Sequence, residues 1–237
     1  MTVSIVGVML QLEQIAMRYA QGPEVLHDIN LTLDRGDFIF LVGPSGAGKT
    51  SLMHIMGLIH TPSRGSFRIF GRDVVTFNRD DLSESRRRIG MMFQDFRLIN
   101  HLTAFDNVAL PLRIGGARER EIKELVYEML EWLGLSDVMD AKPPSLSTGQ
   151  RQIVAAARAA ISRPNLLLGD EPTSNIDTQR ARRLMRLFTE LSKEGTTVVL
   201  STHNDELIDR YPHPVYHLEK GRLTGQTRTP TQLAAAD

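Results

Sequence analysis

Gly43-Pro44-Ser45-Gly46-Ala47-Gly48-Lys49-Thr50 has the form G-x-x-x-x-G-K-[ST], and the apolar segment at 37–42 ahead of it reads as a buried strand. An apolar helix is predicted over 50–59, so strand, loop and helix come in the order needed to wrap a nucleotide's phosphates. The glycines let backbone N–H groups turn inward with no Cβ in the way. Lys49 can reach the β and γ phosphates, and the Thr50 hydroxyl can hold Mg²⁺, with Ser51 following in the first helical turn. The helix that starts there directs its positive N-terminal end at the phosphates. A glycine-rich turn that bound nothing would have no need of this order.

A second signal lies far along the chain. Leu166-Leu167-Leu168-Gly169-Asp170-Glu171 is an apolar run closing on two acids, as a buried strand would if its C-terminal edge delivered carboxylates to a site. Beside a phosphate loop, Asp170 is placed to hold Mg²⁺ through water, and Glu171 to orient or deprotonate the water that attacks the γ phosphate. Without that loop, the pair would read equally well as a solvated strand end.

Composition narrows the function classes. The 237 residues suffice for a sizeable core, and 28 basic against 28 acidic residues leave no field of one sign that would argue for nucleic acid or an acidic lipid surface. The absence of cysteine excludes disulfides, thiolate metal sites and cysteine nucleophiles. The apolar stretch at 1–10 lacks a basic flank and a small-residue cleavage site, so it is not read as a signal peptide. No run approaches the roughly 18 apolar residues of a membrane span, so work at a membrane would need another chain as anchor.

The remaining pattern is α/β: layers around a largely parallel sheet, after a more antiparallel opening. Residues 10–19, 25–33 and 66–70 read as strands broken by turn chemistry such as Gln21-Gly22-Pro23 and Gly71-Arg72-Asp73. From Arg118, Ile122, Leu125, Val126, Met129, Leu130 and Leu133 recur at helical spacing until Gly134 stops them. Leu184, Leu187, Phe188 and Leu191 form a second stripe, leading into a strand at 196–201. A mainly helical insert thus separates two blocks of β signals, and the tail after Gly221 reads as frayed.

The third signal is Leu146-Ser147-Thr148-Gly149-Gln150, ahead of a helical run at 152–161. Alone, Ser147 reads as a helix N-cap. Taken with the loop, the acid pair, Tyr19, Gln94 and His203, it makes the chain resemble the ATP-binding cassette (ABC) ATPases over about residues 10–222. The resemblance implies a P-loop NTPase fold with a mixed sheet core, an antiparallel β subdomain and a helical signature subdomain. It implies one domain at 10–222, with the core and β subdomain at 10–93 and 162–222, the helical subdomain at 94–161, and tails at 1–9 and 223–237.

The family's signature is L-S-G-G-Q. Ser147, Gly149 and Gln150 match, Thr148 replaces the first glycine, Gln152 matches the next glutamine, and Ile153 stands where an arginine is common. A Cβ at Thr148 narrows the backbone's options and hinders close approach to phosphate, which predicts slow turnover.

By the same resemblance two copies face each other head to tail, each ATP held between the phosphate loop of one and Ser147, Gly149 and Gln150 of the other. Tyr19 would stack on adenine. Gln94 would touch Mg²⁺ or the lytic water, and His203 would contact the γ phosphate and hold Glu171 in register. Catalysis would then fall to Lys49, Glu171, His203 and Gln94, and Mg²⁺ to Thr50, Gln94 and Asp170. The residues at 174–177 would cross between the copies.

Residues 89–98, 102–112 and 169–177 are similar to the bacterial cell-division branch of the family. That branch implies an integral membrane partner of the FtsX kind docking near the loop that begins at Gln94, with Phe96 or Leu98 on the docking surface, and a peripheral place on the cytoplasmic face of the membrane. The ATPases of lipoprotein-releasing and macrolide-export systems share the match at 169–177 and form the alternative. A soluble ABC protein of DNA repair or translation fits poorly, since the chain has one cassette, no sustained heptads and no basic surplus.

Overall fold

The computed structural model describes residues 7–227. In chain order the strands are β1 (Val8–Arg18), β2 (Glu24–Asp34), β3 (Phe38–Val42), β4 (Arg64–Ile69), β5 (Arg72–Asp73), β6 (Ile89–Met92), β7 (Leu166–Asp170), β8 (Thr197–Ser201), β9 (Val215–Glu219) and β10 (Arg222–Thr227). The helices are α1 (Lys49–Met56), α2 (Arg79–Arg87), α3 (Ala104–Ile114), α4 (Glu119–Trp132), α5 (Thr148–Ala160), α6 (Thr178–Lys193) and α7 (Asp205–Arg210).

Two sheets result. One is antiparallel in the order β2-β1-β4-β5; the other runs β10-β9-β3-β8-β7-β6 and is parallel except for β10, which pairs antiparallel with β9 at its edge. Strand side chains alternate in direction, and this sorts the larger sheet's residues between two cores. Phe38, Phe40, Leu167, Val198 and Leu200 join the helical layer of α3 to α6. Ile39, Leu41, Leu166, Leu168 and Val199 join α1 and the antiparallel sheet. Because both faces are covered, β3, β7 and β8 are apolar at nearly every position rather than alternating.

Local chemistry sets the element boundaries. Ser147 and Gln150 form a reciprocal capping box at the start of α5, and Asp177 caps α6 by accepting from the Arg180 N–H, which holds the Asp177 carboxyl below its ordinary range. Asn107, fully buried on α3, fastens the loop after β6: its Oδ1 accepts from the Ile99 N–H at 2.8 Å and its Nδ2 donates to the Ile99 and Thr103 carbonyls.

The structure differs from the sequence expectations at several boundaries. Helix α1 stops at Met56, because Leu58 turns left-handed at φ 57° and its N–H closes on Ile55 O, three residues back, instead of continuing the α ladder. On α4 only Ile122, Val126 and Leu130 are buried, and Leu125 is 44% exposed at the margin of the stripe. The segment after Gly221 is not frayed within the described residues, since it forms β10. Likewise β1 starts at Val8, inside the expected tail. The rest of both tails lies outside the described residues.

Candidate functional site

The loop after β3 is shaped by what a side chain would strike. Gly43 has φ 152°, and a Cβ there would lie 2.0 Å from the Leu218 carbonyl oxygen of β9. Gly48, at φ 105°, caps α1 with no side-chain hydrogen bond. The first N–H groups of α1 therefore have no partner in the helix ladder and open toward the loop. At Gly46, by contrast, nothing lies within 4 Å of the Cβ direction. Lys49 reaches back over this cradle, its Nζ donating to the carbonyls of Gly43 at 2.7 Å and Pro44 at 3.2 Å. Residues 43–51, Val25, Gln94, Asp170, Glu171 and His203 line a single cleft of about 620 Å³.

Strand β7 delivers the acids as its apolar run implies. Asp170 is buried, accepts from Thr50 Oγ1 at 2.7 Å through Oδ2, and accepts from the Ser201 hydroxyl through Oδ1. Thr50, Asp170 and Gln94 offer hydroxyl, carboxylate and amide oxygens at this end of the loop. That is the donor set Mg²⁺ takes when it shares its coordination with substrate phosphates. Bound there, Mg²⁺ would neutralise charge on the phosphate oxygens.

Glu171, at the end of β7, has a left-handed backbone at φ 51°. Its Oε1 pairs with His203 Nδ1 at 2.7 Å, the carboxylate mostly buried and the imidazole mostly exposed at 74%. A carboxylate oriented by an imidazole at the cleft mouth can accept a proton from a group bound there. Behind this end of the cleft, burial and the neighbouring charges of His60 and Arg97 lower the His54 pKa.

The signature residues stand apart from the cleft. Ser147, Thr148, Gly149 and Gln150 open α5, and none of them lines the loop cavity. Within the chain Gln150 Oε1 accepts from the Ser147 N–H at 2.8 Å and Ser147 Oγ from the Gln150 N–H at 3.2 Å. The N–H groups of Thr148 and Gly149 lie in the first turn, outside the helix ladder. Thr148 is helical and exposed, and does not have positive φ. The backbone restriction expected there is therefore not found, and any effect of its side chain lies in how closely a ligand can approach. Ile153 is fully buried in the helical core, a place that suits an apolar side chain.

Tyr19 is 45% exposed, its hydroxyl 2.9 Å from Ser51 Oγ and its ring edge-on to His60 at 5.5 Å. It stands beside the loop without lining the phosphate cleft. Phe96 and Leu98 are half-buried, each packed against the helical core with part of its surface left outside it. The groove next to them, about 510 Å³, is lined instead by Phe93, Arg97, Arg86, Arg87, Arg158, Leu110 and Ile114 among others. Two polar residues were missed as site members: Ser201, bonded to Asp170, and Gln152, bonded to the Glu171 carbonyl. Ser201 read only as the end of an apolar run, although a hydroxyl at that strand end was its one visible signal.

Known proteins match on both sequence and shape. The family model described as "ABC transporter" covers residues 26–174. The cell division ATP-binding protein FtsE of Mycobacterium tuberculosis is 39% identical over 216 residues, 91% of this chain and 94% of that one. The methionine import ATP-binding protein MetN 1 of Burkholderia orbicola is also 39% identical, over 225 residues, 93% of this chain and 65% of that longer protein. A solved dimeric post-hydrolysis state of the ATP-binding cassette MJ0796 with ADP and Pi superposes with a TM-score of 0.87 at 32% identity, over 93% of this chain and 98% of that one.

Proposed function

This chain belongs to the ABC transporter family, as an ATPase that binds ATP with Mg²⁺, and from that premise we propose that it serves an FtsEX-like membrane complex in cell division. In this reading ATP cycling changes the shape of an integral membrane partner similar to FtsX. Phosphoryl transfer spreads negative charge over the γ oxygens, and charge placed in advance lowers that barrier. Lys49 and the N–H groups of 45–51 answer it from one side of the nucleotide. Thr50, Asp170 and Gln94 hold Mg²⁺, Glu171 takes the water's proton and His203 keeps the carboxylate in register. Tyr19 stacks on adenine.

The observation that carries the proposal is the separation of two half-sites. Loop, acids and His203 share one cleft, while Ser147 and Gly149 present helix N–H groups elsewhere on the same chain. Two copies arranged head to tail complete both sites, as the dimeric solved neighbour supports. A lone copy binds ATP and hydrolyses it poorly.

The division role is supported by the overall similarity to FtsE and by the family resemblance read from residues 89–98 and 102–112, where Asn107 fixes the loop leading from Gln94 to α3. MetN 1 matches equally well in identity, and the exporter ATPases remain the second reading. The arginine-lined groove beside Gln94 is the partner's docking place, with the protein peripheral on the cytoplasmic face of the inner membrane.

Affinity purification of the chain from detergent-solubilised membranes is expected to recover one membrane protein with a large external loop, and Arg97→Glu to lower the yield. Recovery of a partner bound to a periplasmic adaptor would favour the exporter reading instead.

A further inference from the structure

Gln152 is only 1% exposed, yet both ends of its amide are engaged. Nε2 donates to the Glu171 carbonyl at 2.8 Å, and Oε1 accepts from the Asn175 N–H at 3.1 Å. Glu171 needs such support, because a non-glycine residue at φ 51° persists only where its surroundings hold it. Its N–H donates to Ser201 O at 3.1 Å, and its carbonyl also accepts from Ser174 Oγ at 3.1 Å. A turn earlier on α5, Gly149 lies so close to the same segment that a Cβ would be 2.9 Å from Asn175 O. Helix α5 thus meets residues 171–175 at two points, one a buried amide bonded at both ends.

We propose that Gln152 is a positioning residue that passes the state of this chain's signature helix to its own Glu171. The inference rests on the shared-site reading: Ser147 and Gly149 serve the nucleotide on the partner copy, while Glu171 serves the nucleotide on its own loop. Engagement of the signature across the interface shifts α5, and the amide carries that shift to the backbone of Glu171, which sets the carboxylate against His203 and the water. The two sites of a dimer are therefore coupled through a bond internal to each chain.

Gln152→Leu keeps the bulk and removes both bonds. Gln152→Glu keeps the length and the acceptor for Asn175 but cannot donate to the Glu171 carbonyl when ionised. Each variant is compared with the full-length wild type for ATP affinity, thermal midpoint, kcat and the Hill coefficient of hydrolysis. The expected result is near-unchanged ATP affinity, a thermal midpoint lowered by the loss of two buried bonds, kcat lower by roughly tenfold to a hundredfold from a misplaced carboxylate, and a Hill coefficient falling to that of independent sites. A wild-type kcat and Hill coefficient overturn the proposal, as does a parallel loss of affinity, midpoint and rate, which marks a merely structural role. Should Gln152→Leu not fold, Gln152→Glu carries the same expectations. Glu171→Gln separates the two ideas: if it stays monomeric with saturating ATP and Mg²⁺, the shared-site reading fails, whereas a dimer there beside an unaltered Gln152→Leu removes only the role given to Gln152.

Discussion

Ser201 lies at the end of β8, fully buried, with its hydroxyl on Asp170 and its backbone carbonyl on the Glu171 N–H. One small residue therefore orients both acids. In a metal site, the partner that fixes a ligand's lone pairs matters nearly as much as the ligand, and its loss typically costs about 10- to 100-fold in metal affinity or activity. Ser201→Ala is accordingly expected to raise the Mg²⁺ concentration for half-maximal hydrolysis by about tenfold, at the low end of that range, with little change in ATP binding measured without metal. A magnesium titration of ATPase rate checks it, and an unshifted midpoint would argue against the role. Most of the site was legible in the sequence because its residues sit in contiguous patterns with one physical meaning: Gly43 to Thr50 as a cradle, Asp170 and Glu171 as a strand end. Ser201 and Gln152 were not legible in these roles, since their partners lie 31 and 19 residues away and no local pattern records such a bond.

Elements show the same division. Strands β3, β7 and β8 were readable from apolar content, and α4 and α6 from their stripes, because burial on one or both faces imposes a period. Strand β10 has no such period; it is a polar edge segment held by pairing with β9, and edge pairing leaves little trace in side-chain chemistry. Leu125 was misplaced for a related reason, since the buried stripe of α4 is narrower than its run of apolar residues. Beyond α7, His213 stacks on Phe38 of β3 with ring centroids 4.0 Å apart and planes 2° from parallel. Burial lowers the pKa of this imidazole, so the folded chain binds a proton there less readily than the unfolded chain does. The sign follows from linkage: stability is full above the unfolded value of about 6.5 and is lost as pH falls through it toward the folded value. His213→Phe should keep the stack and show a smaller drop in thermal midpoint between about pH 7 and pH 5.5 than the wild type. His54 shifts in the same direction, so some slope remains. Equal slopes in the two proteins would remove His213 as a cause.

At the scale of the whole molecule, the loop cleft and the start of α5 are built from different parts of one chain, and none of residues 147–150 lines the cleft. The account therefore depends on a second copy supplying Ser147 and Gly149 across the nucleotide. The chain offers a clean way to test this, because it contains no cysteine of its own. Ser45→Cys in one sample and Thr148→Cys in another, both in the Glu171→Gln background, leave the capping box of α5 intact and place single thiols on the exposed loop and the exposed signature turn. The two are mixed, treated with a short bis-maleimide and resolved on a denaturing gel. The account predicts a cross-linked dimer of the two chains that forms with ATP and Mg²⁺ and is nearly absent without nucleotide. No cross-link at saturating ATP, or the same yield with and without it, would contradict the shared site.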